Sequence, residues 1–92
     1  MSVITIRNGP LAVTPDPVYI TKGEMEEIEW QHEKGLEFDV DFGGEGKGPF
    51  ASHHFKKGQK SGTVRTDVAK GSQHKYTVKV GSEVLDPIII VR

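Results

Sequence analysis

Ile28-Glu29-Trp30-Gln31-His32-Glu33-Lys34-Gly35-Leu36-Glu37-Phe38-Asp39-Val40-Asp41-Phe42 is the stretch on which the reading of the fold turns. Over residues 27–32, Ile28 and Trp30 point one way while Glu27, Glu29 and Gln31 point the other. Over residues 36–42, Leu36, Phe38, Val40 and Phe42 share one face, and Glu37, Asp39 and Asp41 share the opposite one. A period of two is the signature of a half-buried strand. Glu and Met favour helix, so residues 24–34 also admit a helical reading. The alternation, and the boundaries at Gly23 and Gly35, favour strand.

The same period continues on both sides. Residues 3–7 alternate with Ile4 and Ile6 on one face, 11–13 form a short apolar piece, and Thr14-Pro15-Asp16-Pro17 ends it. Two prolines there suit an edge or a crossing between sheets. Val18-Tyr19-Ile20 and residues 63–66 read as short strands, and 50–62 as a mixed, basic stretch that admits a short helix or an irregular strand. Residues 74–80 place Tyr76, Val78 and Val80 inward; 81–87 read as a loop, and 88–91 as a closing β-branched strand. Many short strands with turn signals between them predict an all-β, two-sheet antiparallel Greek-key sandwich. With 92 residues, the chain 1–92 is expected to form a single domain. A chain of this size buries only roughly 60–65% of its unfolded surface, so its stability is modest.

Composition removes several function classes. There is no cysteine, which excludes disulfides, thiolate metal sites and cysteine nucleophiles. The net charge of −1 creates no global field toward nucleic acid or acidic membranes. No stretch has transmembrane length, so no membrane insertion is expected. The start, Met1-Ser2-Val3-Ile4-Thr5-Ile6-Arg7, lacks the basic and continuous apolar regions of a signal peptide. As written the chain reads as cytoplasmic; the trimmed mature form of a periplasmic protein would read the same.

Three groups of residues resemble the cupredoxins, the blue-copper fold. The first is Pro17-Val18-Tyr19-Ile20-Thr21-Lys22-Gly23 followed by Ile28-Glu29-Trp30. The second is Phe38-Asp39-Val40-Asp41-Phe42. The third is Gly71 with Tyr76-Thr77-Val78, then Leu85 and Ile88-Ile89-Ile90-Val91. The resemblance covers residues 13–91, with 3–7 as the first strand. It implies a cupredoxin-like sandwich, and it also implies that the copper site is missing. Phe38 stands where the first histidine ligand would be, and Val78, or a residue next to it, where the cysteine would be. The loop 81–86 holds neither a second histidine nor a methionine. A blue-copper centre takes two imidazoles and a thiolate. Electron transfer is therefore not expected, and no cofactor is.

The remaining candidates are surface features. His53 and His54 are adjacent, with His32 and His74 elsewhere; a loop could bring such a pair to one metal, whereas neighbouring strand residues face opposite ways. The acidic run of Glu24, Glu26, Glu27, Glu29, Glu37, Asp39 and Asp41 contains no calcium-loop pattern. Alternation puts most of it toward solvent, and the resemblance implies that Lys75 and Lys79 lie opposite Glu37, Asp39 and Asp41, and that Glu27 and Glu29 lie between strands carrying Arg7 and Arg65. Gly43-Gly44-Glu45-Gly46-Lys47-Gly48 resembles a phosphate loop but has neither the following Ser or Thr nor the dinucleotide glycine spacing. Lys56, Lys57 and Lys60 with Phe50 and Phe55 would need an exposed platform to stack bases, so no nucleic-acid partner is expected. No catalytic triad is legible, and the chain reads as a non-enzyme. The expected function is a metal-free binding or structural module. Its alternatives are a metal-binding protein using surface histidines and an immunoglobulin-like adhesion or assembly module. The resemblance places the partner-docking end at Leu36, Val84, Leu85 and Pro87, for an unknown protein or a second copy of the chain.

Overall fold

The structure, a computed structural model, describes residues 2–44 and 46–92. Met1, which opens the stretch weighed as a signal peptide, and Glu45 of the glycine-rich loop lie outside the described residues. Ten strands are present among them: β1 (Ser2–Arg7), β2 (Ala12–Thr14), β3 (Val18–Ile20), β4 (Ile28–His32), β5 (Asp39–Asp41), β6 (His54–Lys56), β7 (Gln73–Lys75), β8 (Thr77–Val80), β9 (Glu83–Leu85) and β10 (Ile88–Val91). There is no helix among the described residues, so the helical alternative for 24–34 falls and β4 stands in its place. The all-β expectation is correct.

The strands form three sheets where two were expected, in the orders β2-β1-β4, β3-β10-β7 and β6-β5-β8-β9. They are not purely antiparallel. β1 runs parallel to β4, with Ile4 beside Trp30, and β10 runs parallel to β3, with Ile89 beside Val18. Alternation within one strand carries no information about the direction of its neighbour. That is why these two pairings depart from the antiparallel expectation. The second and third sheets share their chain: β7 passes into β8 across Tyr76, whose N–H donates to the Pro87 carbonyl at 3.0 Å. Residues 12–20 serve two sheets, β2 pairing with β1 and β3 with β10, with the crossing at Pro15 and Pro17.

One apolar cluster draws on all three sheets. It contains Ile4, Ile6, Val18, Ile20, Ile28, Trp30, Phe38, Val40, Phe42, Phe50, Phe55, Tyr76, Val78, Val80, Ile89 and Val91 among others. Its centre is aromatic. Trp30 stacks on Phe55 at 5.4 Å between centroids and meets Tyr76 edge-on at 5.8 Å. The indole N–H donates to the Tyr76 hydroxyl at 3.3 Å, giving the buried polar tip its partner. Burial pushes the Tyr76 phenol well above its usual range. The Trp30 hydrogen bond acts the other way, and the charge of Asp16 adds to the rise.

Four local expectations are corrected. Pairing along 36–42 begins only at Asp39, so Leu36 leaves the core face and is 45% exposed. Residues 74–80 are two strands and not one, although Tyr76, Val78 and Val80 are all buried as expected. Residues 63–66 form no strand, because the backbone there makes single bonds to loops, such as Arg65 N–H to the Pro49 carbonyl. The expected loop 81–87 contains β9, which folds back on β8 through a two-residue Gly81-Ser82 turn. Gly81 has φ +59° and is the only one of the two with positive φ, which suits the first position of a type II′ hairpin turn.

Candidate functional site

β5 sits between β6 and β8, so the outward side chains of three strands form one polar surface. In register, Asp39 lies between Lys56 and Lys79, and Asp41 between His54 and Thr77. His54 Nε2 is 3.1 Å from Asp39 Oδ1, and His53 Nδ1 is 3.8 Å from Asp41 Oδ1. A shallow depression of about 200 Å³ is lined by Asp39, Asp41, His54, Thr77 and Lys79. Each carboxylate has a cation or histidine beside it, so Asp39 and Asp41 are not a bare acidic cluster. Exposed pairs of this kind contribute at the low end of about 0.2–1 kcal/mol each. Lys79 stands opposite β5 as expected, whereas Lys75 pairs with Ile88. Glu29 faces Lys60, not Arg7 or Arg65, because β1 is the parallel neighbour of β4 and presents Val3 there.

The four histidines are not brought together. His32 is buried, and both of its nitrogens are used: Lys34 N–H donates to Nδ1 at 3.0 Å, and Nε2 lies 2.7 Å from Asn8 Oδ1. The backbone donor requires a bare Nδ1, which fixes the proton on Nε2. His53 and His54 divide between Asp41 and Asp39. Among the described residues, no three His, Asp or Glu side chains are placed to hold one metal ion.

His74 is half-buried with Nε2 2.9 Å from Ser72 Oγ, whose own proton goes to the Ala69 carbonyl. Burial, and then the Arg65 guanidinium, hold its pKa below the usual 6.5. A histidine whose folded pKa lies below its unfolded value favours the neutral form. Its contribution is present above about pH 6.5 and is lost as pH falls through the window beneath it. The wild type is expected to lose more stability between pH 7.5 and 5.5 than a His74→Gln variant. Urea midpoints at both pH values measure this, and equal losses would contradict it.

The other sequence candidates resolve as follows. Phe50 and Phe55 are buried at 1% and 3% exposure, so the basic stretch beside them has no stacking platform. Lys57 Nζ is tied to the Gly35 carbonyl at 2.6 Å. In the glycine-rich loop, the carbonyls of Gly46 and Gly48 accept from Arg65 at 3.4 and 2.9 Å; the loop turns acceptors, not a cradle of N–H donors, toward its neighbour. No helix among the described residues is long and apolar enough to cross a membrane.

Of the four residues placed at a docking end, only Leu36 and Val84 are exposed, Val84 at 57%. Leu85 is half-buried and packs against the core, and Pro87 is buried. Leu36 precedes Asp39 on the side of the Gly81-Ser82 turn, while Pro87 lies opposite Tyr76 at the far end of the same ladder. The four do not form one patch. Sequence reasoning passes over β9 itself, although Gly-Ser between Val80 and Glu83 is a recognisable hairpin signal. Comparison with protein-family models, with curated proteins and with solved structures found no match.

Proposed function

We propose that this chain is a metal-free, non-enzymatic binding or structural module built on a cupredoxin-like sandwich. The observation that carries the reading is the state of the two positions where the resemblance implies copper ligands. Phe38 is 4% exposed and Val78 is fully buried, both as apolar members of the core. Neither side chain has a donor atom, and the space a ligand set would use is filled by packing. The sandwich is supported by the single core cluster shared by all three sheets and by the Tyr76–Pro87 bond that links two of them.

The test is metal titration of protein carrying no histidine tag. Cu(II) is expected to give no intense visible band, because no thiolate is available for charge transfer. Cu(II) or Zn(II) is expected to bind only weakly and without a defined stoichiometry. A one-to-one complex of micromolar or tighter affinity, lost in a His53→Ala or His54→Ala variant, would replace this reading with the surface-histidine one.

A further inference from the structure

Most sheet edges in this fold are blunted. β2 lies between Pro10 and Pro15, which lack a backbone donor. β3 follows Pro17, and the Arg92 guanidinium covers the Tyr19 ring at 4.9 Å. β6 carries Lys56 and runs into Lys57, and the free side of β4 is bridged by Lys60 opposite Glu29. Proline, lysine and covering side chains are the usual protections of an edge strand.

β9 is different on its outer side. Its ladder with β8 pairs Val80 with Glu83, Lys79 with Val84 and Val78 with Leu85. A two-residue turn closes on a hydrogen-bonded pair, and the Tyr76–Pro87 bond fixes the same alternation from the other end. Val84 and Asp86 therefore occupy the non-hydrogen-bonded positions and turn their N–H and C=O groups away from β8. Among the described residues these backbone groups have no partner. The Val84 side chain stands 57% exposed above them, no lysine or proline lies within the strand, and Pro87 beyond it turns its backbone toward Tyr76, so its missing N–H does not blunt the outer side. β3 pairs with β10 and forms no ladder with β9.

We propose that β9 pairs antiparallel with β9 of a second copy about a two-fold axis through Val84; this rests on the binding-module reading and names its partner. The register is self-complementary. The two Val84 residues exchange both N–H···O=C bonds and bring their exposed side chains together on the outer face. Glu83 falls opposite Leu85 of the other copy, and Ser82 opposite Asp86, where a hydroxyl can donate to a carboxylate. No like charges are directly opposed, which is the condition for favourable cross-strand pairs. An isologous contact of this kind closes on itself and does not propagate into a fibre. It joins two four-stranded sheets into one of eight strands.

Sedimentation equilibrium of the full chain from about 10 μM to 1 mM tests the proposal, a range set by the short contact. A reversible monomer–dimer equilibrium is expected. Val84→Pro removes the central donor and Val84→Lys places two cations together; either is expected to weaken association at least tenfold. Tyr19→Lys and Leu36→Lys are expected to leave it unchanged, and far-ultraviolet circular dichroism verifies that each variant is folded. A wild-type monomer at every concentration overturns the proposal, as does a dimer lost with Tyr19→Lys and kept with Val84→Lys. Neither outcome touches the metal-free reading, which falls only to the titration described above.

Discussion

Trp30→Ala is expected to destabilise the domain by about 3–5 kcal/mol, the range for removing a large aromatic from a packed core. Trp30 is 1% exposed, and its ring is held by Phe55, Phe42 and Tyr76. The substitution leaves a void that several short strands must collapse around, and it also removes the donor to the Tyr76 hydroxyl. Small domains have total stabilities toward the lower end of about 5–15 kcal/mol, so much of the folded population is lost. Urea unfolding followed by circular dichroism measures the change. The wild-type indole should emit as a buried chromophore. A cost below about 1 kcal/mol, or water-like emission in the native state, would mean that the register of β4 is wrong.

The second large effect is expected at Gly48. A β-carbon there would lie 2.6 Å from two ring carbons of Phe42 and 2.9 Å from its Cβ. That ring cannot yield, because it is packed against Trp30, Phe50, Phe55 and Tyr76. Gly48 also has φ +78°, which costs a side chain about 1–2 kcal/mol by itself. Overpacking adds about 1–3 kcal/mol to that. Gly58 supplies the control: φ is +87°, and a β-carbon added there would meet nothing within 4 Å. Gly58→Ala should show the backbone cost alone, and Gly48→Ala the larger sum. Equal losses would show that Phe42 moves aside, and that the core is looser at this corner than its packing implies.

The parts of this fold legible in the sequence are those governed by one strand's own chemistry. Ile28 and Trp30 announce β4, and Tyr76, Val78 and Val80 announce an inward face, because burial of alternate residues is written locally. The partner of each strand is not written locally. β1 finds β4 across an intervening stretch that contains two other strands, and nothing in residues 2–7 specifies a parallel neighbour. Leu36 shows the other limit. It continues the alternation of β5, yet the ladder stops short of it, since pairing depends on where β6 and β8 end. The candidate site follows the same pattern. Val84 stands out in the sequence for its apolar character, but what distinguishes it is an unpaired backbone, which only the neighbouring strand reveals.

The segment that serves two sheets has a consequence for how the molecule comes apart. β2 holds the N-terminal strand and β3 holds the C-terminal one, so residues 12–20 stitch the two ends of the chain across the core. Loosening that stitch strips a neighbour from β1 and from β10 at once. Loss of β10 would in turn orphan both β3 and β7. Neither of the two sheets joined by this segment can therefore fray alone as an independent unit of stability. Slowly exchanging amides in β1, β4 and β10 should share one opening free energy, and the domain should melt as a single cooperative unit.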